Sequence, residues 1–501
     1  MSKKEKTIIL EPLSKDDLDP KTRIQLELQN NEITVSQALI KLSDTAKEFY
    51  HTNLGKVFVT ITINDVEEHI AVDSEKFANW LRKEFFMIAN KPPSSTALKE
   101  AISTILATKE FELTAFHPVY IRVGQFNKNV YIDLCNDKRE IVEITSDGWS
   151  IIEKSPVKFY RSKTMQPLPR PLEEKTINEL KALVNIPKEN FILLVAFLLG
   201  TLKPNGSYPI LILQGGQGSG KTTLASLIKK LIDPCLDSVR SLPRNEEDLM
   251  IGAQNNWILN YDNLSGITHM MADALCKMST GGTLGRRRLF TNDEESVLSA
   301  KRPQILNGID YIAKRPDLQD RSIILHLPRI PDFKRNSEQS IWDVFKKLHP
   351  YILGALFNLV SNAIKYQGSI KLTKIPRMAD FAKWASTLDI SLKLGEGAFL
   401  NFYTKNRRKA AQEAVEQDLL AYSIMNCLAH EGQIKGNASF ILTKLMNYLP
   451  PFQKASGKPI VPINRFKDEI ERILPLLEAN GVKYDYRRNS HERTHLFTLP
   501  K

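Results

Sequence analysis

The residues best suited to chemistry lie in the run Leu211 to Leu231, LILQGGQGSGKTTLASLIKKL. Gly215 to Thr222, GGQGSGKT, fits the pattern G-x-x-x-x-G-K-[ST]. Glycines let the backbone fold so that successive N–H groups point inward at phosphate oxygens. Lys221 is long enough to reach the β- and γ-phosphates of a nucleotide, and the Thr222 hydroxyl suits Mg2+. The helix expected from Thr222 to about Ile232 aims its positive end at the same charge. Gly215, Gly216, Gln217, Gly218, Ser219, Gly220, Lys221, Thr222 and Thr223 are therefore candidate ATP contacts. A plain glycine turn is the bland alternative; the apolar run before the loop and the helical pattern after it weigh against that.

A phosphate loop needs a second acid on a neighbouring strand to hold the metal and its water shell. NWILNYDNL supplies Asp262 at the end of an apolar run. An aspartate there also serves as a helix cap. The next residue is Asn263, an amide that can orient a water but cannot take its proton, so the general base stays unassigned. PQILN reads as a buried strand ending at Asn307. Its amide either touches the γ-phosphate or the attacking water, or starts the turn at Gly308. RPDLQDRS then puts Arg315 and Arg321 ahead of a final strand. Arg321 suits developing charge on a phosphate in a neighbouring subunit; a salt bridge to Asp320 or Asp317 is the other reading.

These residues require strands alternating with helices. Strands are expected at 208–214, 238–242, 257–262, 304–307 and 322–327, in a largely parallel sheet covered on both faces. The greasiest run, FILLVAFLLG, is too short to span a bilayer and reads as a buried helix. Ahead of the core, charged residues 1–45 read as a weakly patterned start. A hairpin turning at Asn64-Asp65, helices at 74–89 and 95–108, and short strands to about Glu153 complete an α+β domain. The expected layout is an N-terminal α+β domain (1–155), a proline-rich linker (156–173), an α/β ATPase core (174–335), a helical lid region (336–405) and a C-terminal module (406–501). That module reads helix, helix, helix, hairpin, as in a winged-helix domain, with Pro475 kinking or splitting the third helix.

The chain has 501 residues, 42% hydrophobic and 25% charged, which suits ordinary cores. Cys135, Cys235, Cys276 and Cys427 form no CxxC pair, which argues for reduced thiols in a cytoplasmic protein and against zinc. The charged start MSKKEKTIILEPLSKDDLD is no signal peptide, and no membrane partner is expected. Lys and Arg outnumber Asp and Glu by 69 to 57, a net +12 that suits a polyanion such as nucleic acid or a merely basic surface.

Taken in order, these elements resemble the AAA+ P-loop ATPases. Within them the chain is similar to replicative helicases of phages, plasmids and genomic islands, which are related to superfamily III and minichromosome maintenance helicases. The self-loading helicase of staphylococcal chromosome-cassette islands is one of this group. The resemblance is carried by GGQGSGKTTLA, RSLPRNEEDLMIGAQNNWILNYDNLSGI, DALCKMSTGGTLGRRRLFTNDEESVLSAKRPQILNGID and RPDLQDRSIILHLP, about Tyr208 to Pro328. It implies Lys221 and Thr222 as Walker A, Asp262 as Walker B, Asn307 as sensor 1 and Arg321 as the trans arginine finger. In PRMADFAKWA it implies Arg377 as a second sensor, which reads equally as a solvated helix-start charge.

The resemblance also implies an ATP-dependent DNA helicase or replication initiator. It would work as a ring, expected to be a hexamer, on single-stranded and forked DNA of a mobile genetic element, beside a single-strand-binding protein or primase. Relatives carry a pore hairpin where this chain has GRRRLFTNDEESVLSAK. Arg286, Arg287, Arg288 and Lys301 there could follow a phosphate backbone, although the turn TNDEE is acidic. In the C-terminal hairpin Arg487, Arg488, His491, Arg493 and His495 cluster as further DNA candidates. Two other readings stay open: an AAA+ loader or remodeller that hydrolyses ATP without unwinding, and an origin-binding protein that uses ATP only to assemble.

Overall fold

The computed structural model describes residues 18–52, 55–63, 66–112, 115–287, 295–308, 311–313, 315–450, 453, 460–488 and 493–499, the side chains of 283–299 excepted. The chain divides into two compact units: Met1–Ile121 with Ser155–Arg161, and Arg122–Lys154 with Ser162–Lys501.

In the first unit, α1 (Pro20–Gln29) and α2 (Val35–Ser43) occupy the stretch expected to be weakly patterned. The Asp19 side chain caps α1, and a Thr34–Gln37 capping box starts α2. These local caps fix where the two helices start, and α2 buries Ala38, Leu39 and Leu42. Strands β1 (Glu48–His51), β2 (Val57–Ile63) and β3 (Val66–Ala71) form an antiparallel sheet in that order. The proposed turn at Asn64-Asp65 lies outside the described residues, and the strands on either side pair in register, Ile63 opposite Val66. Helices α3 (Glu75–Ala89) and α4 (Ser95–Glu112) follow. Alternation along β2 sends Val57, Val59 and Ile61 into a core with Leu39, Phe77, Leu81 and Phe85, and Phe58 into a second cluster with Tyr50. The short β4 (Val119–Tyr120) ends this part.

Strands β5 (Val123–Phe126), β6 (Asn129–Asp133), β7 (Ile141–Thr145) and β8 (Gly148–Ile152) form an antiparallel meander. The expected domain 1–155 included them, but they belong to the second unit. There Trp149 Nε1 donates to Asn358 Oδ1 at 3.0 Å, and its ring meets Phe357 edge-on. The chain returns to the first unit as β9 (Lys158–Phe159), parallel to β4. The proline-rich stretch after it is no free linker. Gln166 N donates to Pro234 O, Leu168 N to Leu134 O and Leu172 N to Pro350 O, and Met165 and Leu168 are buried. Its prolines suit an extended strap anchored at these points by the N–H groups of Gln166, Leu168 and Leu172.

Residues 177–202 form a 3₁₀ helix (Ile177–Leu183) and, after Pro187, α5 (Lys188–Thr201), which is buried from Phe191 onward. No single helix among the described residues is long and apolar enough to cross a membrane. Then come β10 (Ile210–Gln214), α6 (Lys221–Ile232), α7 (Glu246–Asn255), β11 (Leu259–Leu264) and α8 (His269–Thr280). The hairpin β12 (Gly282–Arg287) and β13 (Glu295–Ala300) leads into β14 (Gln304–Gly308), a short helix α9 (Pro316–Gln319) and β15 (Ser322–His326).

The central sheet is parallel, in the order β11-β14-β10-β15. Residues 238–242 add no strand to it. Arg240 N donates to Asn260 O and Asp262 N to Arg240 O, a single bridge beside β11 before Pro243. Crossovers without tight hairpins and strands buried on both faces give the mixed α/β class.

Helix α10 (Glu338–Tyr366) runs through Pro350, and α11 (Ala379–Ala385), α12 (Leu388–Ser391) and α13 (Ala398–Gln417) follow. Asp418 then caps α14 (Leu419–Glu431). The last elements are β16 (Gln433–Gly436), α15 (Ala438–Leu445), α16 (Phe466–Ala479), β17 (Lys483–Arg488) and β18 (Arg493–Thr498). They enclose Ile424, Ile441, Phe466, Leu477 and Phe497 beside a sheet of order β16-β18-β17. Pro475 neither splits nor ends α16, and β16 was not anticipated.

Candidate phosphate-binding site

The site is built where β10, β11 and β14 end together. β10 is buried along its whole length, which fixes the start of the glycine loop. Gly218 (φ +77°) and Gly220 (φ +84°) turn the chain through conformations that other residues resist. A Cβ on Gly215 would lie 2.6 Å from Leu327 O, so only glycine allows that approach. α6 starts at Lys221 with no side-chain cap, which leaves first-turn N–H groups facing the loop. Lys221 Nζ donates to Gly215 O at 2.7 Å and Gly216 O at 3.0 Å. Burial lowers its pKa from the ordinary lysine value, while Asp262 pulls the other way.

Thr222 Oγ1 donates to Asp262 Oδ1 at 3.2 Å. The same oxygen accepts Asn263 N at 2.7 Å. β11 bulges here, with its register against β14 shifting between Tyr261 and Leu264. Asn263 sits in the bulge at φ +57°, a left-handed conformation that Asn tolerates better than Glu. Leu264 O consequently presses on Gly308, where a Cβ would lie only 2.2 Å away. Asn307 is 1% exposed, and its Oδ1 accepts Asn263 N at 3.2 Å. Its Nδ2 has no partner among the described residues. A buried amide donor without an acceptor is unfavourable unless something else supplies one.

Arg321 lies at the other end of the sheet. Its carbonyl accepts Ile210 N, so it stands beside the start of β10, roughly 13 Å of strand from the glycine loop. Neither anticipated ion pair forms. Asp320 pairs with Arg407, the Asp317 carboxylate takes Arg315, and Arg321 Nη1 donates to Asp317 O at 2.8 Å. Arg321 Nε is buried without a partner. Arg377 is exposed just ahead of α11, and among the described residues no hydrogen bond or ion pair joins it to the loop.

Among the DNA candidates, Arg286 and Arg287 fall on β12, opposite Ser296 and Glu295 of β13. Their side chains, and Arg288 and His491 entirely, lie outside the described residues. Lys301 is exposed after the hairpin. Arg487 and Arg488 are exposed on β17, Arg487 pairing with Asp485. His495 does not join them. It is 3% exposed, stacked on Tyr484 and edge-on to Phe466, and burial followed by nearby Lys467 lowers its pKa. It is a core histidine, packed among aromatic rings.

Two features had no signal in the sequence pattern. Residues 327–335 lie over the loop: Leu327 N donates to Gln214 O and Ile330 N to Gly218 O. A Cβ on Gly218 would lie 2.9 Å from Arg335 Nη2. At the far end of α6, Asp233 is buried between two cations. Lys229 Nζ reaches Asp233 Oδ2 at 2.5 Å and Arg122 Nε reaches Oδ1 at 3.2 Å. Trp257 N and Ile258 N also donate to Oδ2, so α6 and the entry to β11 are clamped together.

A glycine-rich loop between β10 and α6, with a lysine and a threonine beside an aspartate, gives a mixed α/β protein a cradle of the kind that holds phosphate groups. Residues 177–403 match the family described as the actinomycete integrative conjugative element replication protein. Over that span the resemblance to replication proteins of mobile genetic elements is shown. Among solved structures, one entitled "SCCmec type IV Cch - active helicase" is similar at 13% identity and a TM-score of 0.47, covering 91% of this chain and 92% of that one. The NrS-1 C-terminal region is similar at 14% identity and 0.41, covering 92% and 98%. The JCV helicase follows at 14% and 0.25, covering 43% and 60%. At such TM-scores these likenesses carry no weight on mechanism. Curated proteins give no match.

Proposed function

We propose that the chain is an ATP-driven DNA helicase or replication initiator of a mobile genetic element, with an AAA+ core and a winged-helix C-terminal domain. One observation carries the reading. Lys221, the Thr222–Asp262 pair and the unpartnered Asn307 amide converge on one cradle that glycines keep open. The residues fit the ligand: N–H groups and Lys221 for the phosphates, Thr222 and Asp262 for Mg2+. The cation would neutralise charge on the phosphate oxygens. Asn307 Nδ2 would find its missing acceptor in the terminal phosphate or the attacking water. Asn263, held by its bulge, would help to orient that water.

The position of Arg321 supports a shared site. It stands too far along the sheet to serve its own loop, and its Nε is unsatisfied. It would complete the phosphate site of a neighbour in a ring, of which six copies is our reading. The helix–strand–helix–helix–hairpin order with a three-stranded sheet supports the winged helix. The β12–β13 hairpin, with Lys301 at its base, and β17, with Arg487 and Arg488, would carry the DNA contacts. The test is phosphate release with ATP and Mg2+, with and without single-stranded DNA. Turnover that DNA stimulates and Lys221→Ala removes supports the motor.

A second reading rests on Asn263, which leaves no carboxylate next to Asp262. On that reading ATP serves assembly alone. Stable nucleotide-dependent oligomers without phosphate release would favour it.

A further inference from the structure

Residues 327–335 supply a cation that neither the motifs nor the family resemblance assigns. This segment is fixed to the loop in cis through Leu327 N to Gln214 O and Ile330 N to Gly218 O. Ile330 Cδ1 would stand 3.3 Å from a Cβ on Gly220, so its side chain lies against the loop as well. A short 3₁₀ turn (Asp332–Lys334) then places Arg335, whose Nη2 occupies the space a side chain on Gly218 would need. The one carboxylate shown paired with Arg335 is Asp332, at 3.1 Å, on a side chain 79% exposed. Such a solvated pair is weak and easily exchanged. Arg377, the second-sensor candidate, is exposed.

Building on the proposed nucleotide site, we infer that Arg335 is a cis phosphate-binding residue, which leaves Asp332 to engage the phosphates of the bound nucleotide. A guanidinium beside a ring of inward N–H groups adds charge-assisted hydrogen bonds to an anion already held there. Asp332 then acts as a weak internal competitor, holding the guanidinium when the phosphates are absent. Gly218 is required as much for the guanidinium as for the turn.

The experiment uses the full chain and measures equilibrium binding of ATP and ADP with Mg2+, then steady-state hydrolysis. Arg335→Ala is expected to weaken both nucleotides about tenfold, raising KM with kcat within about twofold of wild type. Arg335→Lys should recover most of the affinity. Asp332→Asn should tighten binding, because it frees the guanidinium. A residue that only packs against the loop would give no such KM–kcat split and no rescue by lysine. Affinity unchanged in Arg335→Ala, with Lys221→Ala still defective, overturns this inference and leaves the nucleotide site standing. A wild-type chain that binds neither nucleotide overturns both.

Discussion

Asp233→Asn is the sharpest structural test, because the clamp it breaks is buried and holds two cations. In the wild type Asp233 accepts from Lys229 Nζ, Arg122 Nε, Trp257 N and Ile258 N. Lys229 Nζ also bonds Ile258 O, and Arg122 bonds Asp133 O and Gln166 O. Asparagine can still accept from the backbone N–H groups. It then turns its own donor toward Arg122 and leaves two buried cations without a counter-charge. Breaking a buried pair in this way costs about 3–5 kcal/mol. At roughly 2.1 cal/mol/K per residue over a unit of this size, that lowers Tm by about 4–6 °C. Burial pushes the Asp233 pKa up, but Lys229, Arg122 and the backbone bonds outweigh it and hold it below the ordinary 3.8. The stabilisation is therefore complete above that value and is lost as the pH falls further. The assay is thermal unfolding of the full chain at pH 7 and across the acid range. A Tm within 1 °C of wild type at pH 7 would refute the reasoning.

Other predictions concern the site and its surroundings. Asn307→Ala should slow hydrolysis about 100-fold while nucleotide affinity stays within a few-fold, read by phosphate release and equilibrium binding. Arg321→Ala should bind ATP but not hydrolyse it. Mixed at equal amounts with Lys221→Ala, it should regain roughly a quarter of wild-type turnover if subunits pair at random around a ring, and no recovery at any ratio argues against a shared site. His349 is pushed down to about 4, from an ordinary 6.5, chiefly by burial, against its bond to Leu231 O. The unfolded chain therefore takes up a proton first, and stability should fall as pH drops from 6.5 toward 4. His349→Phe should flatten that slope in a denaturation series, and an unchanged slope would remove His349 as its source.

The sequence made the phosphate loop legible because every residue it needs lies within one short run. Asp262 and Asn307 were legible as polar ends of apolar strands, and the structure brings both to the loop. The bulge at Asn263 was not, since it arises from the register of β11 against β14. Arg122, Lys229 and Asp233 come from separate segments, and no local period marks their meeting. The strap at 162–172 looked like a linker because prolines hide the few N–H groups that anchor it. Strands β5–β8 alternate like any small sheet, so nothing local in them tells which unit they join; contacts such as Trp149 with Phe357 and Asn358 do. His495 sat in a basic run, yet its neighbours in space are aromatic.

The central claim is that nucleotide cleavage at Lys221, Thr222 and Asp262 is coupled to movement on DNA. The direct measurement is strand displacement from a forked duplex by the full chain with ATP and Mg2+, beside Lys221→Ala. The account predicts displacement by the wild type and none by the variant. ATP turnover by the wild type with the duplex left intact would contradict it.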